Sequence, residues 1–203
     1  DGTMVGYQYA RLDPDIAVHN LAVGNSNVAD VARGPDEFLD HFLSHLVYEP
    51  YGMIGEQVTQ GQLDIVADAE PTLIISVDLF GNDIIGAFVG DAERIRPERI
   101  TEEDEFLMWL EVAVSRMADT GAEVFLADLP RASLLPGARE KRRATIARAR
   151  PEAMENGDDP DAAAQDAADE TDALIAEIDE LTARYNEHLR TEAAKYDNVT
   201  VVP

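Results

Sequence analysis

Alternating strand-like and helix-like segments predict an α/β fold with a mostly parallel sheet. Four short runs are apolar or β-branched throughout, as strands are when helices cover both sheet faces. Helical periodicity lies between them, with start and stop signals in the right places. The chain has 203 residues and is 45% hydrophobic, enough for one domain with a sizeable core. Residues 1–203 are therefore read as a single domain.

The first strand is expected over Ile16–Val23, followed by a Gly/Asn turn at Gly24 and Asn25. A helix over Pro35–Tyr48 has proline at its start and Phe38, Phe42, Leu43 and Leu46 on one face. Glu56–Ala69 is a weaker helix, broken near Gly61. The second strand, Thr72–Phe80, empties into Gly81-Asn82-Asp83. Thr101–Thr120 opens with T-E-E-D, which reads as an N-terminal cap, and stops at Gly121. Two further strands are expected at Glu123–Leu129 and Val199–Val202.

The stretch 137–180 differs in composition and reads as an inserted helical hairpin. Arg139, Lys141, Arg142, Arg143, Arg148 and Arg150 make a basic helix, and Pro151 follows this run. The segment N-G-D-D-P supplies a turn, and an acidic helix runs on through Leu174, Ile178, Leu181, Tyr185 and Leu189. Such a hairpin serves as a lid or partner surface, or simply as two solvated helices with facing charges.

Composition excludes several chemistries. With 41 acidic and 16 basic residues the net charge is -25, a field that repels phosphate backbones and anionic lipid. Nucleic acid is therefore not an expected partner. There are no cysteines, so disulfides, thiolate catalysis and Cys-ligated metal are excluded. No apolar run approaches the ~20 residues of a membrane span, so no integral membrane segment is expected. His41 and His45 have i, i+4 spacing but no companion ligand, and His19 reads as a strand histidine. No metal or cofactor is expected.

Two turns could carry chemistry. In open parallel sheets, ligands bind beyond the carboxyl ends of the strands, which is where Asn82 would stand. A side-chain amide there can donate to a developing oxyanion without adding charge. Asn20–Asp30, N-L-A-V-G-N-S-N-V-A-D, is a second strand opening into a turn, whose backbone amides could cradle an anion. Taken alone, G-N-D is an ordinary strand-ending turn.

Together the blocks N-L-A-V-x-x-x-x-V-A-D, P-x-x-x-I-x-x-x-x-x-G-N-D-x-x-G-A, T-G-A-E-V-F-L-A-D-L-P and a late Y-N resemble the SGNH/GDSL hydrolases. The resemblance covers most of the chain outside the hairpin. It implies a flavodoxin-like three-layer parallel sheet and serine-dependent hydrolysis of lipid or carbohydrate esters, with a small-molecule or lipid ester as substrate. It also implies a secreted or periplasmic location. Asn82 would be one oxyanion donor; the backbone of Gly24 or Asn25 would be the other, because the family's glycine aligns with Asn25.

The family's nucleophile and Asp-x-x-His blocks are not found. No G-D-S occurs, and none of Ser26, Ser44, Ser76, Ser115 and Ser133 has a G-x-S-x-G setting. None of His19, His41, His45 and His188 has an aspartate three residues before it. The family places those blocks before a segment like Asp1–Ala10 and after a strand like Val199–Val202. Truncation at each end would remove both, leaving a chain expected to be inactive by itself and to fold poorly alone. A non-catalytic SGNH-like binding domain is the alternative. A receiver-type signalling domain with Asp78 as phosphoacceptor fits less well, since the last strand is followed by no lysine.

Overall fold

A computed structural model describes residues 28–33, 62–77, 81–89 and 94–203. The expected strand at 16–23, the turn at Gly24 and Asn25, and the expected helix at 35–48 lie outside the described residues. In chain order the described elements are α1 (Val28–Arg33), α2 (Gln62–Asp68), β1 (Leu73–Ser76) and α3 (Gly81–Ile85). They continue with α4 (Glu103–Asp119), β2 (Glu123–Ala127), α5 (Pro136–Asn156), α6 (Pro160–Ala193) and β3 (Val199–Val202).

The three strands form one parallel sheet in the order β1-β2-β3. Ile74 registers with Val124 and Val124 with Val199, while Leu126 registers with Val201. These side chains form the face on which the helices pack. Val124 and Leu126 are buried there against Phe106, Leu110, Val114 and Met117 of α4 and Tyr185 and Leu189 of α6. A crossover between parallel strands is almost always right-handed. Two successive crossovers in one direction therefore lay α4 and α6 on the same side.

The other face carries Leu73 (51% exposed), Ile75 (64%) and Phe125 (38%). Among the described residues the architecture is thus α/β with two layers; the third layer expected above is not among them. A strand pattern apolar on both faces records a capacity for burial, and the described helices use one of those faces.

The structure departs from the expected helix cap at Thr101. Thr101 does not cap α4: the helix starts at Glu103, its N-cap is Glu102, and no side chain caps it. The acidic first turn of Glu103, Asp104 and Glu105 offsets the helix dipole instead. Pro151 lies inside the basic helix, which runs on to Asn156. The stop comes from Gly157, whose left-handed φ of 81° lets its N–H reach the Met154 carbonyl and the Asp158 N–H reach that of Ala153. Asp159 then caps α6 by accepting from the Asp161 and Ala162 amides. The two helices of opposite charge run antiparallel, joined by the exposed pairs Arg142–Asp172 and Arg150–Asp161.

Candidate functional site

Asn82 stands in the first turn of α3, shortly beyond the carboxyl end of β1. It is half-buried, whereas its neighbours Gly81 and Asp83 are buried. Successive helical residues diverge by about 100° around the axis, so Asp83 points inward while Asn82 lies at the boundary. Gly86, in the same G-N-D-x-x-G-A block, passes close to another chain segment. A β-carbon there would lie 2.8 Å from the Arg99 carbonyl oxygen, which only glycine permits.

Asp83 is the structural centre of this corner. Its Oδ2 accepts from the Val28 backbone N–H at 2.9 Å, joining residues 55 apart in sequence. Its backbone carbonyl accepts from the Thr101 N–H at 3.1 Å. The Thr101 carbonyl in turn accepts from the Tyr185 hydroxyl. The Tyr185 ring stacks on Phe106, with centroids 3.9 Å apart and planes inclined by 9°. Both residues are fully buried. Thr101 is therefore a strap between α3 and α6, a role hidden behind its cap-like sequence setting.

Burial pushes the Asp83 carboxyl up to about 7, reinforced by the nearby charge of Asp30 and opposed by hydrogen bonds from Thr101 and Val28. Its Oδ1 is buried without a hydrogen-bond partner. The Tyr185 phenol is likewise raised by burial and by the field of Asp83.

A cleft of about 300 Å³ opens between the start of α4 and the middle of α6. Ile100, Ile178 and Leu181 form an apolar wall, and Glu102, Glu103 and Arg184 stand at its rim. His188 lies 3.1 Å from Glu103 through its Nε2, and Arg184 pairs with the same carboxylate. The hydrogen bond with His188, aided by Arg184, holds the Glu103 carboxyl below its usual range.

A second corner sits at the end of β2. The Asn186 side chain accepts from the Leu129 N–H at 2.7 Å and donates to the Leu129 carbonyl at 3.0 Å. Arg190 pairs with Asp128. The D-L-P segment at the end of β2 is thus clamped by the asparagine of the late Y-N.

Of the sequence-predicted site, Asn82 lies in the short helix α3 and not at a strand end, since β1 stops at Ser76, while Gly24 and Asn25 lie outside the described residues, as do Ser26, Asp78, His19, His41 and His45. Ser133 donates to Asp179 at 2.6 Å, and His188 engages Glu103. Among the described residues no serine hydroxyl is bonded to a histidine, so no nucleophile–base pair is assembled there. Sequence reasoning gives Asp83 no role beyond its turn, because its bond to Val28 joins positions 55 residues apart. Compared with protein-family models, curated proteins and solved structures, the chain matches none.

Proposed function

We propose that this chain carries the oxyanion-binding portion of a serine ester hydrolase of the SGNH/GDSL type, with a flavodoxin-like sheet. The observation that carries this reading is the Val28–Asp83 hydrogen bond. Val28 follows Asn25 by three residues, and three residues of chain reach at most about 11 Å. The bond ties the start of α1, which follows Gly24 and Asn25 in sequence, to the helical turn that holds Asn82.

In this reading Asn82 donates its side-chain amide to the oxyanion of the tetrahedral intermediate, and a backbone amide at Gly24 or Asn25 donates beside it. The substrate is a carboxylic ester of lipid or carbohydrate type. The reaction needs a nucleophilic serine and a histidine held by an aspartate, which residues 1–203 do not supply in recognisable motifs. The α5–α6 pair, an insertion in this scheme, stands beside the cleft as a lid or partner surface.

The absence of G-D-S and D-x-x-H from the sequence favours a second reading, a non-catalytic binding domain of the same type. One experiment separates the two. Hydrolysis of short p-nitrophenyl esters is measured on the polypeptide with any flanking sequence of its gene retained. The hydrolase reading expects turnover, and a loss of about 10²–10³ in kcat with KM little changed in Asn82→Ala. Turnover that Asn82→Ala leaves intact, or no turnover at all, removes it.

A further inference from the structure

We propose that Asp83 is a positioning residue: its buried carboxylate, fastened to the Val28 amide, sets the orientation in which α3 offers the Asn82 side chain. The geometry is specific. Asp83 is held through both its side chain and its main chain, by Val28 on one side and Thr101 on the other. It is 0% exposed, and Asn82 is its immediate neighbour in one short helical turn. Any rotation of that turn that swings Asn82 must also stretch the carboxylate's bond to Val28. As a role in catalysis this rests on Asn82 being an oxyanion donor; as a mechanical link it does not.

A carboxylate is an unusual choice for the task. An asparagine could accept the same N–H with no charge to bury, and Asp83 keeps Oδ1 buried without a partner. What the carboxylate adds is a bond whose strength depends on charge, since an ionised acceptor binds an N–H more strongly than a neutral one. Burial places the change of charge near neutrality, at about 7. Asp30 from α1 and the Tyr185 phenol from α6 share its field, and neither is a cation. The link at Asn82 therefore tightens as pH rises through neutrality, with no compensating positive charge from these groups.

The test is a pH titration by NMR of the whole chain, following the Val28 backbone amide and the Asn82 side-chain amide. Both resonances should move with one shared midpoint near 7. In Asp83→Asn both should lose the inflection while the Val28 amide stays protected from exchange. In Asp83→Ala that protection should fall at least about tenfold, in line with loss of a charge-assisted hydrogen bond. Asp30→Asn should keep the inflection and lower its midpoint.

If Val28 titrates while Asn82 does not move, Asp83 is only a helix anchor and the proposal is overturned. An unchanged inflection in Asp83→Asn overturns it too. Should the variants fail to fold, the wild-type titration alone decides. Shared titration with no effect of Asn82→Ala on ester turnover would sink the hydrolase reading and leave the link standing.

Discussion

The corner around Asp83 and the pair α5–α6 both depend on polar contacts, but with very different weight. At the corner a single carboxylate, a strap residue and a phenol are fixed inside the protein by Val28, Thr101 and Phe106. Along the helical pair, Arg142 and Asp172 meet through two hydrogen bonds of 2.6 and 2.8 Å, yet their side chains are 41% and 50% exposed. Water and salt screen the second arrangement and leave the first almost untouched. Short distances alone therefore say little about which contacts shape the molecule.

Perturbing the corner should produce the larger effects. Phe106→Ala removes the ring stacked on Tyr185 and leaves a cavity beneath Thr101. It should cost about 3–5 kcal/mol in urea unfolding, and a loss below 1 kcal/mol would mean the corner is not packed as described. Asp83→Asn comes next, and its sign is opposite to that of most aspartates. The folded-state carboxyl is raised from 3.8 to about 7, so the folded protein holds this proton more tightly than the unfolded chain does. That contribution is fully present below about pH 4 and is lost as pH rises towards 7. Asp83→Asn should therefore unfold at higher urea than wild type at pH 8, by up to about 4 kcal/mol, with the gap closing by pH 4. A constant gap between those pH values would contradict the burial argument.

At the helical pair the expected effect is smallest. A double-mutant cycle on Arg142 and Asp172 should give a coupling of about 0–1 kcal/mol, shrinking further in 1 M salt. A coupling above 2 kcal/mol would erase the contrast between the two regions.

The sequence announced what depends on neighbours along the chain. Apolar runs gave β1, β2 and β3, and periodicity gave α4 within two residues of its ends. Gly157 was legible as part of a turn because its backbone needs a positive φ. Thr101 was misread because a threonine before three acidic residues has the same pattern whether it caps a helix or ties two distant segments together. Asp83 was opaque for another reason: its partner Val28 is 55 positions away, and no local pattern encodes that meeting. Asn186 stood in a recognisable Y-N, but its clamp on Leu129 becomes visible only once α6 lies beside β2.

The sheet grows in a single direction, from β1 through β2 to β3, and that has a consequence for how copies of the protein behave towards one another. Among the described residues the crossover helices lie on one side of the sheet, and its other face carries the exposed side chains of Leu73, Ile75 and Phe125. The charge of -25 supplies the counterweight, a mutual repulsion that keeps such surfaces apart in dilute buffer. Counterions shorten the reach of that repulsion to about 3 Å at 1 M salt, so contact between the apolar side chains of separate copies is opposed less there than in dilute buffer.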